Sequence, residues 1–219
     1  MHGQLPLKFP LRKEFTLDRF RMGLNQELIE TATSDECVWI YGEARVGKTH
    51  VAQAVCRYRE QSVFLPGKSV SPDDVNLDSY GAYRHVVIDD IDCWLGRREF
   101  EEQLFSLIET RYVGGFGLLI TGSGTPHQLS FSINDLGSRL RSFHCMELKA
   151  LPESEKRRWL ADEVRERGLD LADDVLEYLF SRVGRSQESL ADVIEKLDFE
   201  SLAQSRKLTI PFVREVLKL

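Results

Sequence analysis

Residues Gly42-Glu43-Ala44-Arg45-Val46-Gly47-Lys48-Thr49 spell G-x-x-x-x-G-K-T. Such a loop binds phosphate. Its glycines let the chain curl until consecutive N–H groups point at phosphate oxygens. Lys48 is placed to reach the β- and γ-phosphates, and Thr49 to hold magnesium. Farther on, Asp89 and Asp90 end an apolar run. One carboxylate beside a phosphate loop can orient Mg2+, and a second can polarise an attacking water. Thr121 and Ser123 follow another apolar run, where a hydroxyl can bond the γ-phosphate or that water. Arg139 lies in Asp135-Leu136-Gly137-Ser138-Arg139-Leu140. Taken alone, that segment reads as a surface arginine in an ion pair. An arginine so placed can also stabilise phosphoryl-transfer charge in a neighbouring subunit's site.

These residues need a scaffold that brings strand ends together. Cys37-Val38-Trp39-Ile40-Tyr41 precedes the loop and His50 to Arg59 follows it in a helix-compatible run, the strand–loop–helix setting the motif requires. The helix would add its positive N-terminal end to the loop. Strands are expected at Ser62–Leu65, His85–Asp90, Phe116–Thr121 and His144–Leu148. Phe100, Leu104, Leu107 and Ile108 have helical spacing within Arg98–Tyr112. A helical pattern also runs from Phe15 to Thr33. Pro66 to Tyr83 reads as loop. Alternating strands and helices imply a parallel sheet covered on both faces. After Leu151-Pro152 the pattern is helical only, over 153–167, 173–182, 187–203 and 210–217. The expected organisation is an extended tail (1–13), a nucleotide-binding α/β domain (14–150) and a small helical domain (151–219).

The 219 residues carry a net charge of −6. Residues 1–150 hold 17 Lys and Arg against 20 Asp and Glu, and the remainder 12 against 15. With no basic domain, a direct grip on a nucleic-acid backbone is not expected. No apolar run approaches a membrane span, and no signal peptide is apparent. Cys37, Cys56, Cys93 and Cys145 are scattered, without a C-x-x-C pair. They read as buried, reduced thiols of a cytoplasmic protein rather than zinc ligands or disulfides. Trp39 reads as core; Trp94 as core, lid packing or a partner contact. His50 reads as a packed residue of the loop helix.

Together, the phosphate loop, the Asp-Asp strand, the polar turn, Asp-Leu-x-Ser-Arg-Leu and the helical end resemble the DnaA branch of the AAA+ ATPases. Phe15-Thr16-Leu17-Asp18-Arg19-Phe20 resembles that branch's N-terminal nucleotide-pocket segment. Arg206-Lys207-Leu208-Thr209-Ile210-Pro211-Phe212-Val213-Arg214-Glu215 resembles the end of the branch's regulatory members, which inactivate the initiator DnaA. The resemblance implies an AAA+ P-loop NTPase domain with a helical lid. It implies bound ADP or ATP with Mg2+ on Thr49 and Asp89, and a nucleotide site of residues 42–50 with Phe15, Phe20 and Arg185. Thr121 and Ser123 would be sensors, Asp90 a catalytic acid, and Arg139 a finger acting in trans. In DnaA-type lids an arginine of the third lid helix contacts the nucleotide. The matching position here is Glu188, whose carboxylate would repel phosphates; Arg185, one turn earlier, would stand in for it.

A duplex-binding helix-turn-helix domain is not expected, since the chain stops at the lid. Pro66–Tyr83 is too short and too little basic for an inserted strand-gripping helix. Gln4-Leu5-Pro6-Leu7-Lys8-Phe9 resembles a sliding-clamp-binding peptide, with Gln4, Leu5, Leu7 and Phe9 as its contacts. An extended tail can lay Leu7 and Phe9 into an apolar pocket while the Gln4 amide bonds at the rim. The partners implied are the β sliding clamp of DNA polymerase III, DnaA, and further copies of the chain itself. The function implied is clamp-bound stimulation of ATP hydrolysis on DnaA, with little turnover of its own. A self-sufficient helicase-loader-like ATPase, or a non-hydrolysing adaptor between clamp and DnaA, are the alternatives.

Overall fold

The structure is a computed structural model that describes residues 8–169, 171–183 and 187–218, the side chains of Gln187 and Glu188 excepted. Gln4, Leu5, Leu7 and Arg185 therefore lie outside the described residues, as does the Glu188 side chain. The chain forms two compact units, residues 1–149 and 150–219.

The first unit is built on five strands. These are β1 (Cys37–Tyr41), β2 (Ser62–Pro66), β3 (His85–Asp89), β4 (Gly117–Gly122) and β5 (His144–Glu147). Their order is β2-β3-β4-β1-β5, and every neighbouring pair is parallel. Each crossover needs a connection long enough to return the chain, and helices supply most of them. The helices are α1 (Gln26–Ala32), α2 (Lys48–Tyr58), α3 (Arg98–Gly114) and α4 (Asn134–Arg141). Successive strand residues face opposite sides, which divides the core in two. Trp39, Ile88 and Ile120 point to one side, with Leu104 and Ile108 of α3 and Leu136 and Leu140 of α4. Val38, Ile40, Val87 and Leu119 point to the other, with Ile29 of α1 and Val51 and Val55 of α2. The sheet is thus covered on both faces, as its apolar strands require. β5 is an edge strand and keeps mostly exposed residues.

Three sequence expectations are corrected. The helical pattern over Phe15–Thr33 forms a helix only from Gln26 to Ala32; residues 15–24 run through turns. There Phe15 and Phe20 are drawn onto His50 instead, tertiary packing overriding spacing. Pro66–Tyr83 is not plain loop: it contains short 3-10 helices at Pro72–Asp74 and Leu77–Tyr80, started by the Ser71 and Asn76 side chains. Buried Arg111 holds this stretch through the carbonyls of Tyr80, at 2.8 Å, and Tyr83. Cys37 and Cys56 are buried, but Cys93 and Cys145 are exposed, one in a turn after β3 and one on the edge strand. Trp39 and Trp94 are core side chains whose indoles donate to the carbonyls of Gly124 (2.9 Å) and Val70 (2.8 Å). The extended segment before Phe15 is laid along the domain. Phe9 is half-buried, and the Arg12 amide donates to Gln53 at 2.7 Å.

The second unit contains α5 (Glu153–Glu166), α6 (Asp173–Arg182), α7 (Gln187–Gln204) and α8 (Ile210–Leu217). Leu160, Leu190 and Ile194 centre one cluster; Leu179, Phe212 and Val213 centre the other. Thr209 caps α8 by accepting from the Phe212 amide, and Pro211 sits in its first turn where no donor is needed. Arg206 lies over the Phe212 ring and pairs with Glu215 at 2.9 Å. Among the described residues, no helix is long and apolar enough to cross a membrane.

Candidate nucleotide site

The phosphate-loop motif lies between the end of β1 and the first turns of α2. Gly42 has φ 157 and Gly47 φ 109, with Arg45 left-handed at φ 64 between them. A Cβ on Gly42 would lie 2.7 Å from the Leu148 carbonyl oxygen, so a side chain there has no room. This curled backbone at a helix N-terminus is the geometry that cradles an anion. Lys48 Nζ donates to the carbonyls of Gly42 (2.7 Å) and Glu43 (2.9 Å), which arches the side chain back over the loop. Burial holds its pKa down, against the upward pull of Asp90.

Parallel pairing puts the ends of β3 and β4 beside the loop. Asp89 is buried and accepts from the Thr121 hydroxyl at 2.5 Å. The Thr49 hydroxyl lies near enough to draw its pKa down. Burial pushes the Asp89 carboxyl upward and these two hydroxyls pull against that shift. The Asp90 amide donates to the same Thr121 oxygen at 2.9 Å. Asp90 itself is left-handed at φ 54 and pairs with Lys68 at 2.9 Å. Ser123 is engaged elsewhere: its amide and hydroxyl both donate to Asp92, each at 2.8 Å. The donors fit a magnesium–phosphate group. A threonine hydroxyl and a buried carboxylate meet beside a basic loop, and a divalent cation would offset the charge that burial disfavours.

The N-terminal segment closes over the start of α2. Phe15 stacks on the His50 ring at 4.7 Å and Phe20 meets it edge-on at 5.4 Å. The Thr16 carbonyl lies 3.0 Å from His50 Nε2. Phe15, Phe20 and His50 are thus brought together beside the loop.

Sequence reasoning overlooked three contributors. Gly67 packs its backbone against the acids. Its amide donates to the Asp89 carbonyl at 2.7 Å, and a Cβ would sit 2.4 Å from the Asp90 oxygen. Lys68 follows it onto Asp90. Neither residue belongs to a recognisable pattern. Glu101 is fully buried and accepts from the amides of Gly96 (2.8 Å) and Ile133 (3.0 Å). It ties the turn after β3 to the start of α4. A signal for Glu101 did exist: an acid on the apolar face marked by Leu104 and Ile108.

Arg139 lies elsewhere. It sits in the last turn of α4, just before β5, whose His144 pairs with Val38 at the start of β1. The loop follows Tyr41 at the other end of that strand. At about 3.3 Å per residue, the sheet's depth separates Arg139 from its own phosphate loop. The side chain is half exposed and pairs with Glu109 of α3.

Residues 153–217 match a family model described as the lid domain of Hda. The C-terminal unit thus resembles the lid domain of Hda. Residues 38–113, which span the loop and both acids, match a model described as RNA helicase. Domain III of the replication initiation protein DnaA from Thermotoga maritima superposes with a TM-score of 0.82. It is 19% identical, over 96% of this chain and 98% of that one. AMPPCP-bound DnaA from Aquifex aeolicus gives 0.74 at 19% identity, over 89% and 69%. The RuvB Holliday junction branch migration motor from Thermotoga maritima gives 0.68 at 17%, over 93% and 71%. The fold is therefore that of an AAA+ P-loop NTPase with a small helical lid.

Proposed function

We propose that this Hda-like chain is a regulator that stimulates hydrolysis of ATP bound to DnaA and so inactivates the initiator. The observation that carries the reading is the position of Arg139. It is half exposed at the sheet end remote from its own loop, which supports its serving a nucleotide on another molecule. There a planar guanidinium would neutralise charge as the γ-phosphoryl group leaves.

The chain's own site would hold ADP or ATP. Residues 42–49 would wrap the phosphates, Lys48 would reach the terminal ones, and Phe15, Phe20 and His50 would line the approach. Thr49 and Asp89 would hold Mg2+, which neutralises phosphate charge when bound. Thr121 orients Asp89 and Asp90 toward that space, and Asp90 is the acid placed to polarise a water. Its pairing with Lys68 supports slow turnover at home. Gln4, Leu5, Leu7 and Phe9 would tether the chain to the β sliding clamp. That requires Phe9 to exchange its contacts on the domain for a clamp pocket. Several identical pockets on a ring would strengthen a modest single contact. Self-association through the Arg139 face is expected, and the setting is cytoplasmic.

The test is hydrolysis of DnaA-bound ATP with clamp loaded on DNA. The wild-type chain accelerates it and Arg139→Ala does not. Equal activity of the two would favour an adaptor that merely bridges clamp and DnaA.

A further inference from the structure

We propose that Glu109 is the positioning residue of Arg139, fixing its guanidinium for phosphate on a neighbouring molecule; the inference rests on the trans reading of Arg139. The two residues come from α3 and α4, thirty positions apart. Arg139 Nε lies 2.6 Å from Glu109 Oε1, and Nη2 donates to Oε2 at 3.3 Å. The Nη2 contact is a hydrogen bond and the Nε contact an ion pair, and together they restrict where the guanidinium lies. Tyr112, one turn beyond Glu109, lies under the guanidinium at 5.8 Å from the ring centroid. That ring is itself held. Its hydroxyl meets Ser142 Oγ at 2.8 Å and its edge packs on Phe143 at 6.4 Å.

Glu109 Oε1 is covered while Arg139 lies beside it and has no hydrogen bond of its own; the Arg139 charge is its compensation. The carboxylate on one side and the Tyr112 ring on another restrict the guanidinium, so part of the ordering of a long flexible side chain is done before the phosphate arrives.

The experiment uses the full chain, clamp-loaded DNA and DnaA carrying γ-labelled ATP. Glu109→Ala should lower the maximal stimulated rate roughly tenfold, an orientation effect. The concentration giving half-maximal stimulation should stay within about twofold, because docking is untouched. Glu109→Gln keeps an acceptor without the charge and should fall about threefold. If Glu109→Ala does not fold, Glu109→Gln carries the test alone. A wild-type or raised maximal rate in the folded variants, with Arg139→Ala inactive, overturns the role of Glu109 only. Full activity of Arg139→Ala overturns the trans reading beneath it.

Discussion

Replacing Thr121 by valine removes one oxygen while keeping the shape of the side chain, and that oxygen serves two partners. It donates to the buried Asp89 carboxylate at 2.5 Å and accepts from the Asp90 amide at 2.9 Å. Loss of a hydrogen bond to a charged group costs about 1.5–3 kcal/mol, and an amide left without a partner adds about 1 kcal/mol. The sum is roughly 3 kcal/mol, which for a chain of this size is a drop in Tm of about 6–12 °C. Trp39 and Trp94 both lie in the first unit's core, so their fluorescence reports its unfolding; Trp159 lies in the second and should be replaced by phenylalanine in the reporter background. Thr121→Ser restores the hydroxyl and should recover most of the loss. Magnesium-dependent nucleotide affinity should fall with Thr121→Val, since Asp89 and Asp90 lose their common anchor. A Thr121→Val protein within 1 kcal/mol of wild type, or a serine variant as weak as the valine one, would refute the reasoning.

Three further outcomes follow from the same geometry. Gly67→Ala must push a methyl group into the Asp89 and Asp90 carbonyls; urea melts should show a loss of about 1–3 kcal/mol, with weaker nucleotide retention. Glu101→Ala removes the buried carboxylate that accepts from the Gly96 and Ile133 amides, and calorimetry should register a loss of about 1–3 kcal/mol, with lowered DnaA stimulation because α4 carries Arg139. The third concerns pH. His85 is buried, and its Nε2 accepts from Arg59 at 2.9 Å, which keeps the ring neutral. Burial first, then the charges of Arg59, Arg84 and Arg111, bring its pKa down to about 4, while Asp35 pulls the other way. The folded value lies below the unfolded one. The neutral ring's contribution is therefore whole above pH 6.5 and is lost as pH falls through about 4. The loss is about 3 kcal/mol at most, and His85→Gln should flatten that part of the stability–pH curve.

The parts that could be read from sequence are those written locally. Gly42 to Thr49 lie in one contiguous stretch, and the buried strands beside them are apolar runs of the right length. The four lid helices have clear spacing. The parts that could not be read depend on residues far apart. Lys68 meets Asp90 only because β2 and β3 are neighbours; Glu109 meets Arg139 only because α3 and α4 cover the same face. The Phe15–Thr33 pattern misled for the same reason. Its aromatic residues answer to His50 on another element, and periodicity along one segment cannot register that. Cys145 looked buried because it lies in an apolar strand, yet β5 is the sheet's edge and carries no further strand.

The proposed regulator works through Arg139 acting on a nucleotide held by another protein. Single-turnover hydrolysis of labelled ATP preloaded on DnaA, with clamp-loaded DNA and excess chain, measures that directly. Wild type should accelerate it, a variant whose own turnover is removed by Asp90→Asn should keep some acceleration, and Arg139→Ala should give none. Acceleration by Arg139→Ala equal to wild type would contradict that role.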